Sequence, residues 1–331
     1  MSHEITAQDN LFTVREPAWH KLGAVLPEYP TRAEAQSLAH PWEPVTTPLF
    51  TEEYVVDEQA GPMTDFAPVE GWVAVQRSDT SATLGVVTDT YQPVSNTEMW
   101  DIAEALEGEA HGDVKFETAG SLKGGAKVWI LIRLKEPLRL KGDEATATVP
   151  YYALQNSHDG SGSFRGQATV TRIVCQNTAQ IADLDAKQRG TSFTFRHTRN
   201  VKDRIEEART ALVGWRESVE AYRMLAEHMV DERVSIDQAG EFVERFIPDP
   251  PPGTATDRVR RNAAEARGQW RGIYMGEANE RLLGTRWGLV QASVEYLQWA
   301  RKAHTEESRL QRTLLTQNQL VQDAMRIAQS V

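Results

Sequence analysis

Cysteine is almost missing from this chain: one residue, Cys175, in 331. A single thiol excludes an internal disulfide framework and any zinc site built on several thiolates, and it fits a reducing, cytoplasmic setting. No apolar run approaches the ~18 residues that a membrane-spanning helix needs. The opening stretch MSHEITAQDNLF has no basic segment leading into an apolar one, so no secretory signal is expected. Basic residues are scarce in the first third. Residues 1–110 hold 4 Lys and Arg against 19 Asp and Glu, a charge of −15, whereas residues 111–331 hold 32 against 28, or +4. The total of −11 is therefore not spread evenly, and a positive groove has room only in the later two thirds. Walker sequences, the dinucleotide glycine fingerprint and the paired-histidine zinc helix are all absent. Neither a metal nor a cofactor is expected.

What is present reads as an α+β protein: a mainly antiparallel sheet core with flanking helices, followed by a long helical C-terminal region. Residues 1–70, rich in proline, are expected to be an irregular wrapping segment or edge strand, because proline cannot join an inner ladder. Only Thr31 to Ala39 has a helical signature there, with Glu34 three residues after the Thr31 cap. Residues 71–200 form the expected core domain. Strands are predicted over GWVAVQRSD and TLGVVTDTYQPV, then Val114 to Leu122 and Lys127 to Leu134. The helix Asn96 to Glu107 opens on a Ser95/Glu98 capping box. From residue 201 to 331 the period is helical. Val201, Ile205, Ala208, Leu212, Trp215, Val219, Tyr222, Ala226 and Met229 step by fours and threes, which predicts one long helix seeking a partner. Pieces at 236–246, 256–267, 278–303 and 306–331 continue it, with a hinge near Pro248 to Gly253.

The stretch from Val149 to Asp185 organises the middle of the chain. It reads as a strand, a polar turn from Asn156 to Gly162, a second strand from Phe164 to Val174, and a helix opening at Gln176-Asn177-Thr178. His158 and Asp159 in the turn have the chemistry of a base and its orienting acid, or of metal ligands together with His111 or His197; Asp159 serves equally as a turn cap. Lys123-Gly124-Gly125-Ala126-Lys127 has the makings of a phosphate cradle or of an ordinary basic hairpin turn. Arg165 lies next to the glycine-rich loop, and Arg196, His197, Arg199, Lys202 and Arg204 make the densest positive cluster, with Phe193 and Phe195 nearby. Cations interleaved with aromatic rings suit a phosphate backbone and stacked bases. Cys175 has no glycine-flanked elbow and reads as a packed thiol.

Several of these strings are familiar. Thr118-Ala119-Gly120-Ser121-Leu122, Gly125 with Lys127-Val128-Trp129, Asn156 to Ser161, Arg172 to Thr178, His197 to Val201, Pro17 to Gly23 and Trp287-Gly288-Leu289 resemble the uncharacterised phage/plasmid-like protein family. Ala18 and Lys21 are minor departures. The resemblance implies a mobile-element origin and a location in the cytoplasm of a bacterial host, and it implies no reaction. The order of elements is also similar, at the level of fold, to single-strand annealing recombinases of the RecT and Erf kind. Such proteins hold one DNA strand in rings or filaments without catalytic residues. The expectation is thus a homo-oligomeric single-stranded DNA-binding and annealing protein. Lys123, Lys127, Arg133, Arg165, Arg196 and Arg199 would lie on phosphates, with Phe164 or Phe193 as a stacking platform. The rivals are a nucleic-acid hydrolase centred on His158 and Asp159, and a non-catalytic host-interaction protein.

Overall fold

The computed structural model describes residues 10–15, 23–57, 61–109, 114–143, 147–172, 177–180, 193–197, 215–251, 253, 256–301 and 319–331. Its strands are β1 (Leu11–Val14), β2 (Ala24–Leu26), β3 (Pro44–Asp57), β4 (Gly61–Arg77), β5 (Thr83–Thr88), β6 (Val114–Leu122), β7 (Lys127–Leu134), β8 (Leu138–Arg139), β9 (Ala147–Ser157), β10 (Phe164–Arg172), β11 (Asn177–Gln180) and β12 (Phe193–Phe195). Its α-helices are α1 (Arg32–Ala39), α2 (Asn96–Glu109), α3 (Trp215–Asp231), α4 (Ile236–Phe246), α5 (Asp257–Tyr274), α6 (Arg286–Glu295) and α7 (Gln319–Ser330). The chain divides into two compact units: Met1–Ile132, Leu154–Gly166 and Ser192–Leu212 form the first, and Arg133–Ala153, Gln167–Thr191 and Val213–Val331 the second. Strands β7, β9 and β10 each pass from one unit into the other.

In the first unit, β1 pairs in parallel with β2 and antiparallel with β6, and β12 pairs antiparallel with the start of β10. A separate antiparallel sheet has the order β3-β4-β5. The early segment is thus more regular than its prolines suggest. β1 sits inside the ladder between β2 and β6 with Phe12 fully buried, while β3, which carries Pro44 and Pro48, takes an edge as proline requires. Helix α1 is held by the expected reciprocal cap: the Glu34 amide donates to Thr31 Oγ1 at 3.4 Å and the Thr31 amide to Glu34 Oε2 at 2.8 Å. Ser95 and Glu98 do the same for α2 at 3.0 and 2.7 Å, and Met99, Ile102 and Ala103 turn inward. Trp100 packs edge-on to Phe116 with centroids 5.3 Å apart.

In the second unit, β8 pairs with β9, and β11 pairs antiparallel with the end of β10, Thr171 opposite Thr178 and Arg172 opposite Asn177. This corrects the helix expected to open at Gln176-Asn177-Thr178. Asn177 to Gln180 continue the sheet, because the ladder partner on β10 outweighs the local capping signal. The core gathers Tyr222, Met229, Phe242, Trp270, Trp287 and Leu289, with Val321 and Met325 from α7. The long helical C-terminal region is also corrected. Beyond Trp215 the described helices are short, none longer than the 18 residues of α5. The predicted 278–303 helix is interrupted at Gly284 (φ 75°), after which the Thr285 hydroxyl accepts from the Gly288 amide at 3.0 Å to start α6. Residues 201–214 of the predicted long helix lie outside the described residues.

Candidate functional site

The polar turn after β9 sits over the start of α2 in the first unit. Asn96 Nδ2 donates to the Trp42 carbonyl at 2.7 Å, which turns its Oδ1 toward His158 Nε2 at 3.1 Å. That network puts the imidazole proton on Nε2 and leaves Nδ1 bare, buried and without a hydrogen-bond partner among the described residues. The His158 amide donates to the Ala126 carbonyl at 2.8 Å, tying the turn to the 123–126 hairpin. Trp42 stands edge-on to His158 (5.6 Å) and carries the Arg77 guanidinium over its face (4.5 Å). Arg77 is almost fully buried, grips Asp79 through two bonds of 2.9 and 2.8 Å, and donates to the Gly124 carbonyl at 3.1 Å. Gly125, at φ 105°, lies so close to Trp42 that a Cβ there would come within 2.6 Å of the indole. A second histidine, His40, accepts from Trp100 Nε1 (3.1 Å) at Nδ1 and donates from Nε2 to the Gly120 carbonyl (2.8 Å). Burial pushes His158 down to about 3 and His40 down to about 4, so both are neutral.

Asp159 turns away from His158. One carboxylate oxygen accepts from Ser157 Oγ (2.5 Å), the Ser161 amide (2.9 Å) and Ser161 Oγ (2.7 Å). Lys127 Nζ lies 3.8 Å from that oxygen and donates to Ser161 Oγ at 2.7 Å. Burial acts against the charge, yet these hydrogen bonds and the ammonium hold the carboxyl below its usual range. Tyr91 donates to the Ser157 carbonyl at 2.8 Å and stacks on His197 with centroids 4.7 Å apart. The turn is a fastened joint between strands: its acid caps the turn and does not orient the histidine.

The remaining predicted contacts separate. Lys123 is exposed at φ 56° on the hairpin tip. Lys127 is engaged with the Asp159 turn. Arg165 is half-buried, donates from Nε to Gln155 Oε1 at 2.8 Å, and is depressed by burial. Arg196 is exposed, and Arg133, also half-buried, belongs to the second unit. Arg199, His111 and Cys175 lie outside the described residues. Phe164 and Phe193 are buried, with centroids 5.1 Å apart, and Phe195 stacks on Phe193 at 4.9 Å. The expected stacking platform is therefore a hydrophobic plug, and the cationic set keeps Lys123 and Arg196 as its exposed members in the first unit.

The model of a family described as Domain of unknown function (DUF932) matches residues 83–318. The chain belongs to this family. No curated protein and no solved structure matches it. The DUF932 span takes in the His158 turn and reaches past α6, and it leaves out strands β3 and β4. Within that span α5, DRVRRNAAEARGQWRGIY, carries a run of cations, Arg258, Arg260, Arg261, Arg267 and Arg271, against Asp257 and Glu265. Trp270 and Tyr274 fix its inward face, leaving Arg258, Arg260, Arg261 and Arg271 exposed. Sequence reasoning read this stretch only as a helix; five arginines in 15 residues was the signal available. Beside it, Gln269, Gly272, Ile273, Gly276, Glu277 and Glu295 help line an open cavity of about 490 Å³. Among the described residues no group of three or more His, Cys, Asp or Glu is placed to hold a metal ion, and no helix is long and apolar enough to cross a membrane.

Proposed function

We propose that this DUF932 chain is a phage- or plasmid-encoded protein that binds single-stranded DNA with little sequence preference and promotes annealing. It works in the cytoplasm of a bacterial host as a homo-oligomer, a ring or a filament. The observation that carries the reading is the set of exposed arginines on α5, a helix about 27 Å long at 1.5 Å per residue. Arginine suits this role because its planar fork grips phosphate oxygens and stacks on bases. Exposed Lys123 and Arg196 supply further cations. His158 supports holding over hydrolysis: it is sealed from solvent, neutral, and committed through its one proton to Asn96. Exposed Phe50, Phe66 and Trp72 offer apolar surface for contacts between copies.

The test is the anisotropy of a labelled oligonucleotide across a salt series. Affinity falls with rising salt at a slope of about −0.7 per phosphate contact on a single strand. Replacing Arg258, Arg261 and Arg271 together by Ala is expected to flatten that slope by about 2 and to weaken binding similarly for unrelated sequences. Unchanged affinity and slope in a folded variant refute the reading.

A further inference from the structure

The β3–β4 hairpin carries a surface opposite in chemistry to α5. Its described acidic residues Glu52, Glu53, Asp65 and Glu70 are all exposed, and the one cation of residues 44–77, Arg77, is buried on Trp42. Past the register shift between Pro48 and Phe50, the ribbon's strands run in register from Phe50↔Pro68 to Asp57↔Gly61. Directly opposed residues share a face, so Phe50, Pro68, Glu52 and Phe66 lie together on one side. Phe50 is 59% and Phe66 62% exposed, far more than large aromatic side chains usually are. On the other side Glu53 stands directly across from Asp65. Like charges opposed across a ladder are destabilising, and a cation brought alongside removes the penalty. A two-stranded ribbon is itself marginal in water without a packing partner.

Helix α5 supplies what this ribbon lacks. Arg258, Arg261 and Arg271 have no ion-pair partner among the described residues, and exposed Val259 and Met275 flank them. Guanidinium groups pair with carboxylates through two parallel bonds and stack on aromatic faces, which matches a surface made of Glu, Asp and Phe. We propose that the β3–β4 ribbon of one copy docks on α5 of a second copy. The inference deepens the reading above, since it rests on α5 as an anion-binding helix and names a protein competitor for it. The contact joins two different surfaces, so it repeats from copy to copy and builds rings or open chains. A copy whose helix holds a neighbour's ribbon is closed to DNA there, which makes the DNA-free assembly a reserve that single strands open.

Sedimentation of the full chain without nucleic acid tests this. At about 50 mM salt the wild type is expected to run heavier than one chain, and at about 500 mM as one chain, because screening weakens exposed pairs. E52K/E53K/D65K and R258E/R261E/R271E are each expected to run as single chains at low salt. Mixing the two variants is expected to restore a heavier species by pairing the reversed ribbon with the reversed helix, which misfolded variants cannot do. A wild type of single-chain mass throughout, or an assembly that survives both reversals, overturns the proposal. DNA binding is read separately. A single-chain wild type whose DNA binding depends on α5 sinks the docking alone; an assembling wild type whose DNA binding ignores α5 sinks the DNA reading alone.

Discussion

His158→Gln should leave the protein less stable at neutral pH and, at the same time, less sensitive to acid. In the folded chain burial holds His158 down to about 3 and His40 down to about 4, against an ordinary 6.5. Below pH 6.5 the unfolded chain therefore binds protons that the folded chain refuses, and stability falls as pH falls. At about pH 5 an unfolded histidine is about 1.5 units below its pKa, so each neutral buried imidazole costs about 2 kcal/mol at about 1.4 kcal/mol per unit. Both groups are fully buried, so solvent screening does not reduce the figure, and the wild type should lose about 4 kcal/mol between about pH 7.5 and about pH 5. His197, lowered mainly by burial, adds in the same direction. Glutamine cannot titrate, and it keeps a donor for Asn96 while giving up the edge-on contact with Trp42. It should cost about 1–2 kcal/mol at neutral pH and reduce the acid-linked loss from about 4 to about 2 kcal/mol. Urea unfolding at the two pH values measures both quantities. An acid-linked loss in His158→Gln equal to that of the wild type refutes the argument.

Gly125→Ala should cost more than about 2 kcal/mol, since alanine at φ 105° is strained and its Cβ meets the Trp42 ring; a near-neutral urea midpoint shift would contradict that. Asp159→Ala removes the acceptor shared by Ser157, Ser161 and Lys127, and should cost about 2 kcal/mol with faster hydrogen exchange at Ser161, whose amide it holds. Phe164→Ala should cost about 3–5 kcal/mol as a core truncation and leave oligonucleotide affinity intact where the variant remains folded; the opposite pattern would restore Phe164 as a stacking residue.

Much of the fold was legible because its signals were local and agreed with one another. The Thr31/Glu34 and Ser95/Glu98 boxes, the Lys123 to Ala126 turn between two alternating strands, and the apolar spacing of Ile236 to Phe246 each specify an element without distant help. The misses came where a distant partner decided. Asn177 and Thr178 carry cap chemistry, yet their backbone pairs with Arg172 and Thr171, and a ladder cannot be seen from one strand. Leu11 to Val14 is too short to stand out in a proline-rich segment and becomes a strand because Thr118 to Gly120 lie beside it. At the site, the letters His158-Asp159 suggested a dyad. Asn96, 62 residues away, takes the histidine, and two neighbouring serines take the acid.

A basic residue in a sequence is a different thing from a positive charge on a surface. Arg77, Lys127 and Arg165 all lie near the polar turn, and each is absorbed in building it: Arg77 between Trp42 and Asp79, Lys127 against Asp159 and Ser161, Arg165 on Gln155. Lending any of them to a phosphate means breaking a bond that fixes the turn, which opposes binding. Arg258, Arg261 and Arg271 of α5 face no such conflict, because Trp270 and Tyr274 anchor the helix through other side chains. Affinity for an anion should therefore follow α5 and ignore Arg77, Lys127 and Arg165. Reversing Lys127 should unsettle the turn before it weakens any grip on DNA, and reversing Arg258, Arg261 and Arg271 should do the converse.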